Sequence, residues 1–166
     1  WLFDQTSDIG VPVLQAVIGD PARGYWRHFD LATGYGCHPN PARAAIRAIT
    51  EGAETRVTNI AGARDDFRPA EYRLEAHSAL VAALEGQDAG GDPPAGMPLG
   101  APTDALLRGT LRALQNAGTA DPIVVDLGGE DMGIAVVRVF SGDLEDRSTN
   151  RNWRPGPRAA RLLLTL

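Results

Sequence analysis

A glycine-containing turn at 34–40, followed by a helix-forming segment, constrains the fold of this chain most strongly. Asn40 is a preferred N-cap, and Pro41 suits the first helical position, where its missing N–H costs no hydrogen bond. We therefore predict a helix from about residue 41 toward Asn59. Apolar residues recur along it at spacings of three and four, which predicts one buried stripe. The stripe consists of Ala42, Ala45, Ile46, Ile49, Ala53, Val57 and Ile60.

The neighbouring face of this helix carries two cations and two carboxylates. Arg43, Arg47, Glu51, Glu54 and Thr58 follow one another at spacings of three and four, so their side chains share a face. The common role of such a face is a solvated, salt-bridged surface. Two carboxylates one turn apart can also hold a hard cation such as Mg²⁺, and neighbouring arginines suit phosphate oxygens. Both interpretations remain open at this stage.

Gly52 interrupts the predicted helix between the two glutamates. Glycine in a helix interior costs about 1 kcal/mol relative to alanine. Its presence indicates that another element packs closely against the helix at this point.

The composition predicts one soluble globular domain and excludes several kinds of catalysis. All 16 basic residues are arginine, so a Walker-type phosphate loop, a Schiff-base lysine and a Ser-x-x-Lys nucleophile are absent. His28, His38 and His77 lack metal-ligand spacing. A single cysteine, Cys37, excludes an internal disulfide and predicts a cytoplasmic protein. The net charge of −5 argues against nucleic-acid binding, and no apolar run approaches the ~18 residues of a membrane span.

Further elements are predicted on both sides of the central helix. Four strands are expected from apolar, β-branched runs bounded by turn residues. They cover residues 10–18, 24–30, 122–127 and 133–140. Turn residues join the first two strands, which should pair antiparallel. Helices are predicted at 69–87 and from Thr103 or Asp104 to about Asn116. Residues 88–102 contain four glycines and four prolines, which predicts a flexible linker.

An internal repeat relates the two ends of the chain. The segment from Asp8 to Asp20 aligns without a gap on the segment from Asp131 to Asp143. A Phe-Asp or Val-Asp pair precedes each copy, at residues 3–4 and 125–126. The two turn-plus-strand units favour a pseudo-symmetric α+β domain in which each half contributes a strand to a common sheet.

The last segment, residues 147–166, is predicted to be a tail rich in arginine and proline. One interpretation is an exposed tail. The other is a docked segment, because Trp153 supplies an apolar anchor while Pro155 and Pro157 stiffen an extended backbone.

At residues 34–66 the chain resembles the YcaO family, enzymes that use ATP and Mg²⁺ to activate backbone amides of peptide or protein substrates. The resemblance rests on Gly-Tyr-Gly-Cys-His-Pro-Asn-Pro at 34–41, Arg-Ala-Ile-Thr-Glu at 47–51 and Ile-Ala-Gly-Ala-Arg-Asp-Asp at 60–66. These runs look like the YcaO variant associated with TfuA-type partner proteins. The two Asp-x-Gly units and the Arg-Pro-Gly-Pro-Arg run at 154–158 also follow the family's order, so the resemblance covers essentially the whole chain.

The resemblance implies that residues 1–166 are the C-terminal part of a longer YcaO-like domain, with a pseudo-symmetric sheet and packed helices. It implies that Glu51 and Glu54 coordinate Mg²⁺ and that Arg47, Arg56 and Arg64 bind ATP. It assigns no catalytic residue. The family's earlier Ser-x-x-x-Glu-x-x-Glu-Arg nucleotide motif has no counterpart here, so the isolated chain is expected to be inactive. Many relatives carry glutamine where this chain has its second glutamate.

The implied reaction begins when a nucleophile adds to an amide carbonyl, after which ATP phosphorylates the amide oxygen and phosphate is lost. A side chain of the substrate as nucleophile gives an azoline, and external sulfide gives a thioamide. The expected partners are the N-terminal remainder of the domain, a peptide or protein substrate, a TfuA-like protein and a second copy in a homodimer. The alternative is a non-catalytic YcaO-like scaffold that binds a peptide or partner. It is supported by the missing motif and by the glutamate on the helix where many relatives carry glutamine.

Overall fold

The computed structural model describes residues 1–20, 22, 25–62, 64–86, 90–144 and 154–164. Along these residues three strands are followed by three α-helices, two further strands and a last α-helix. The chain divides into one unit of residues 1–110 and a second of residues 111–166. No helix in the described ranges has the length and apolar character needed to cross a bilayer.

The first unit is built on an antiparallel sheet of three strands, β1 (Leu2–Asp4), β2 (Val13–Ile18) and β3 (Ala32–Cys37), in that order across the sheet. Successive side chains of a strand point to opposite faces, so the central strand β2 contributes to two apolar clusters. Leu14 and Ala16 pack with Ala44 and Ala48. Val17 packs in a second cluster with Trp26, Leu31 and Leu84.

The central helix α1 (Pro41–Ala61) lies on the first of these clusters and begins where the sequence predicts. Asn40 caps it, because its side-chain oxygen accepts a hydrogen bond from the Arg43 backbone N–H at 2.9 Å. The helix and β3 are in backbone contact. A Cβ atom added at Gly34 would overlap the backbone nitrogen of Gly52, and one added at Gly36 would overlap the Ala44 carbonyl oxygen. The close packing indicated by Gly52 is thus confirmed.

The predicted buried stripe of α1 is wrong. Its large members are exposed. The exposed fractions of Ile46, Ile49, Val57 and Ile60 are 62, 47, 66 and 75%. The buried residues of α1 are Ala44, Ala48, Gly52 and Asn59. Both sets follow a helical spacing. The backbone contact with the two glycines of β3 decides between them, because isoleucine side chains would not fit there.

Two further predictions in the first unit are also wrong in their boundaries. Residues 28–30 form a short 3-10 helix (His28–Asp30), so β2 pairs with β3 rather than with residues 24–30. The helix predicted at 69–87 is reduced to a 3-10 turn (Glu71–Arg73) and α2 (Ser78–Glu85). Between them the backbone is extended and exchanges hydrogen bonds with the segment around Trp26, from Ala76 N–H to the Trp26 carbonyl at 3.0 Å and from His28 N–H to the Leu74 carbonyl at 2.8 Å. Residues 90–98 are irregular, as a linker requires.

Helix α3 (Thr103–Asn116) matches its prediction. Beyond it, the second unit contains a two-stranded antiparallel sheet of β4 (Ile123–Gly128) and β5 (Val136–Phe140), followed by α4 (Pro157–Leu164). The strand predicted at 122–127 is present as β4, and it is largely exposed, with Ile123 and Leu127 at 66 and 59%. The segment after Gly156 is helical rather than extended, and Trp153 lies outside the described residues.

The internal repeat is confirmed at the level of local structure. Each copy is a strand, a turn and an antiparallel strand, and the equivalent glycines Gly10 and Gly133 have φ of 74° and 70°. The preceding aspartates, Asp4 and Asp126, each accept a backbone N–H two residues later at 2.8 Å. The α+β class is correct. Within the described residues, β2 lies in the three-stranded sheet of the first unit and β5 in the two-stranded sheet of the second.

Candidate functional site

Helix α1 presents two different flanks on either side of its buried face. Each residue advances an α-helix by about 100°, so Arg47 and Arg56 point about 180° apart. By the same geometry, Arg47, Glu51 and Glu54 lie within about 60° of one another. We call these three residues the acidic flank.

Glu51 is held at the edge of the sheet. Its Oε2 atom accepts a hydrogen bond from the Tyr35 backbone N–H at 2.7 Å. Because β3 is an outer strand of its sheet, this N–H points away from β2. The carboxylate keeps a second oxygen that can bind a cation or another donor.

The predicted salt-bridged surface does not form on this flank. In the described part of the chain, Arg47 makes no ion pair with Glu51, although the two are i,i+4 neighbours. Glu54 is exposed. No group of three or more metal-binding side chains is found in the described ranges. The acidic flank therefore offers two unpaired carboxylates and one guanidinium, but an ion bound there needs further ligands from water, nucleotide or another part of the protein.

The amino-terminal end of this flank is electropositive. Burial lowers the pKa of His38 below its usual 6.5, and Arg43 and Arg47 lower it further. The His38 Nδ1 atom accepts a hydrogen bond from the Asn40 N–H at 2.9 Å. Burial also raises the pKa of the Cys37 thiol, against the opposing effect of Arg47. A thiol with a raised pKa is a poor nucleophile, although the Cys37 residue as a whole is exposed.

Arg56 lies on the opposite flank of α1, beside a cavity of about 360 Å³. The polar side chains that line this cavity are Asp20, Arg27, Asp30, Arg56, Asn59 and Tyr72. Arg27 and Asp30 are paired through two hydrogen bonds of 3.1 and 3.2 Å, which raise the pKa of Arg27. We call this space the Arg56 cavity.

Arg64 lies in the loop that follows α1. The helix ends at Gly62, which adopts a left-handed conformation with φ of 58°. Arg64 then forms two hydrogen bonds with Asp66, at 2.8 and 2.5 Å, and stacks 4.8 Å from the centre of the Phe67 ring. The pairing lowers the pKa of Asp66.

The structure thus brings together three of the five predicted site residues, Arg47, Glu51 and Glu54, and places Arg56 and Arg64 elsewhere. The Arg56 cavity itself was not predicted. One signal for it was present in the sequence, since Asn59 continues the spacing of Ala48 and Gly52. A polar side chain at a core-facing position indicates a site or a buried hydrogen bond. Tyr72 and Asp20 carried no such signal.

The chain matches one family model and is similar to several curated proteins. A family model described as YcaO cyclodehydratase, ATP- and Mg²⁺-binding, matches residues 1–145. An uncharacterised protein of Methanothermobacter thermautotrophicus is 35% identical over 156 residues, which cover 87% of this chain and 38% of that protein. A Rhizobium leguminosarum bv. trifolii protein, named for its position in the tfuA 3′ region, is 48% identical over 90 residues, which cover 51% of this chain and 21% of that protein.

Two solved structures share the fold. A heterocyclase in complex with substrate and cofactor superposes with a TM-score of 0.60 at 21% identity, over 87% of this chain and 20% of that one. The heterocyclase TruD superposes with a TM-score of 0.53 at 23% identity, over 89% of this chain and 20% of that one. The chain therefore spans less than two-fifths of the length of the curated relatives described above and a fifth of these structures.

Proposed function

This chain belongs to the YcaO family, and from that premise we propose that it is the C-terminal part of an ATP- and Mg²⁺-dependent enzyme that activates backbone amides of a peptide or protein. The observation that carries the proposal is the acidic flank of α1. Its two carboxylates project from one helix face without ion-pair partners in the described residues, next to an arginine.

We propose that Glu51 and Glu54 contribute ligands to Mg²⁺ and that Arg47 binds a phosphate of ATP. Proteins commonly hold Mg²⁺ through one or two carboxylates together with substrate phosphates and water, so this donor set fits the ion. The hydrogen bond from Tyr35 orients Glu51 before any ligand arrives. When bound, ATP supplies the phosphoryl group that activates the amide oxygen, and the role of the protein is positioning and charge stabilisation.

Arg56 and Arg64 remain proposed ATP ligands by resemblance only. Arg56 points to the other flank of the helix, and Arg64 is paired with Asp66. A contact between either arginine and a nucleotide held at Glu51 therefore requires a ligand that reaches around the helix or a rearrangement of the loop.

The product depends on the nucleophile, and both the azoline and the thioamide remain proposals. The name of the Rhizobium relative supports a TfuA-like partner for this protein. We also propose a cytoplasmic location, a homodimer, and completion of the ATP site by the N-terminal remainder of the domain.

The test uses the full-length protein with ATP, Mg²⁺ and a candidate peptide, followed by mass spectrometry of the peptide. Glu51→Gln keeps an acceptor for the Tyr35 N–H but removes the charge that binds a metal, so modification should be lost while the circular dichroism spectrum is unchanged. The matched control is Glu85→Gln at the end of α2, which should retain activity. Full activity in Glu51→Gln would contradict the metal assignment.

A non-catalytic scaffold is the second candidate function. The observation that favours it is the lack of a third metal-binding side chain near Glu51 and Glu54 in the described ranges. Binding of a peptide by the full-length protein without any ATP-dependent change in its mass would support this alternative.

A further inference from the structure

The Arg56 cavity contains polar groups that the described part of the chain leaves without partners. The Tyr72 hydroxyl oxygen is fully buried and has no hydrogen bond. Asn59 is only 8% exposed, and no described residue forms a hydrogen bond with its side-chain amide. No described carboxylate lies within ion-pair distance of the Arg56 guanidinium. Buried polar groups are normally paired. The buried Tyr72 hydroxyl, with Asn59 and the partly exposed Arg56 at the same cavity, therefore points to a missing ligand.

The charges of the cavity define the kind of ligand. Among the described residues, two arginines and two aspartates line it, so their formal charges sum to zero. Arg27 is held by Asp30, which leaves Arg56 to bind an anion. A phosphate monoester carries nearly two negative charges and would be poorly balanced in a neutral cavity, whereas a carboxylate carries one and matches a guanidinium in shape.

The remaining groups match a peptide. The Asn59 amide offers both a donor and an acceptor, as a peptide group requires. The Asp20 Oδ1 atom accepts a hydrogen bond from the Ala22 backbone N–H at 3.0 Å. The other carboxylate oxygen of Asp20 can accept an N–H from a peptide. Phe29 and Ile60 supply apolar surface at the same cavity.

We infer that the Arg56 cavity binds a peptide through a carboxylate, which pairs with Arg56 and accepts a hydrogen bond from the Tyr72 hydroxyl, while Asn59 binds an adjacent peptide group. The carboxylate is either a chain terminus or an acidic side chain. This site lies on the flank of α1 opposite Glu51, away from the proposed metal site, and it gives Arg56 a role other than the ATP contact that the resemblance implies. It needs neither ATP nor Mg²⁺.

The test is NMR titration of the isotope-labelled chain without nucleotide or metal. The probes are N-acetyl-Gly-Phe, its C-terminal amide, N-acetyl-Glu amide and inorganic phosphate. Saturable shifts of the Asn59 side-chain amide and the Arg56 Nε–H are expected with one or both carboxylate peptides and not with the blocked N-acetyl-Gly-Phe amide. N-acetyl-Gly-Phe binding alone identifies a chain terminus, and N-acetyl-Glu amide binding alone identifies an acidic side chain. Stronger binding of phosphate, or no saturable shift with either carboxylate, would overturn the inference.

Two substitutions locate the binding. Arg56→Gln removes the cation and Tyr72→Phe removes only the hydroxyl, so each should weaken peptide binding by about tenfold or more, the usual effect of losing a hydrogen bond to a charged group. Arg43→Gln changes an exposed arginine on the same helix but away from the cavity, and its affinity should equal that of the unmodified chain. Unchanged affinity in Tyr72→Phe and Arg56→Gln would show that the peptide binds elsewhere. If Arg56→Gln does not fold, Tyr72→Phe alone decides.

Discussion

The Tyr72 hydroxyl is a buried donor without a partner among the described residues, and burial of such a group opposes folding. Tyr72→Phe should therefore keep the free energy of unfolding or raise it by about 1 kcal/mol, measured by urea denaturation. Tyr35→Phe is the matched control, because its hydroxyl is exposed and accepts a hydrogen bond from Gln15 Nε2 at 3.0 Å. A loss of stability in Tyr72→Phe would mean that the hydroxyl has a partner in solution.

His38 should make stability depend on pH. Its folded-state pKa is lowered from 6.5, first by burial and then by Arg43 and Arg47. Its contribution to stability is therefore complete above pH 6.5 and declines as the pH falls through the lowered value, because the unfolded chain binds the proton more readily. Arg43→Gln should raise the pKa of His38 only partly toward 6.5, since burial is the larger cause. NMR titration of the His38 ring measures its pKa in the unmodified chain and in the variant. An unchanged pKa in the variant would exclude an electrostatic contribution from Arg43.

The sequence identified individual residues well where the cause was local. Asn40 and Pro41 define the start of a helix by their own chemistry, and both lie where expected. Tyr72 could not be identified in this way, because its burial depends on residues distant in the chain.

The contact between α1 and β3 is made by backbones rather than by large side chains. Gly34 and Gly36 occupy alternate positions of β3 and so share a face, which is the face that α1 covers. Two glycines at this spacing, opposite a row of alanines, predict such a contact. The isoleucines have an equally helical period, so periodicity alone predicts the wrong buried face of α1.

Alanine substitutions at Gly36 and Gly52 should differ sharply in their effect on stability. Gly36→Ala places a methyl group against the Ala44 carbonyl oxygen and should destabilise the fold by about 3 kcal/mol or more. The methyl group of Gly52→Ala meets Ile18 side-chain atoms at 3.2 and 3.4 Å and the Gly34 backbone nitrogen at an ordinary contact distance of 3.6 Å. The better helix propensity of alanine should hold the net change to about 1 kcal/mol. Chemical denaturation of both variants tests this order, and equal losses would show that backbone contact is not the determinant.

In each of the two units, the described residues leave apolar surface uncovered. The isoleucines and Val57 of α1 and most of β4 and β5 are exposed, and a two-stranded sheet is at best marginally stable alone. The relatives extend well beyond the matched segment. We expect other parts of the full-length protein to cover these surfaces, which is why periodicity alone misidentified them as buried within this chain.

Val57 provides a test of whether this apolar surface is covered in the full-length protein. It is 66% exposed, so Val57→Gln should change the free energy of unfolding of the isolated chain by only about 0.5 kcal/mol. It should reduce self-association, measured by light scattering, because it interrupts the apolar stripe. In the full-length protein the same substitution should cost more stability, if that stripe is an internal contact. An equal, small effect in both would place Val57 on a free surface.

The hydrogen bond between Glu51 and the Tyr35 N–H has a consequence beyond ligand binding. An outer strand with unpaired backbone groups is a template for strand addition and aggregation, and a charged side chain over that edge blocks it. Glu51 therefore protects β3 from intermolecular pairing whether or not a metal is bound. A relative that had lost catalysis would still gain from this glutamate, so its presence by itself does not separate a working enzyme from a scaffold that has to remain unaggregated.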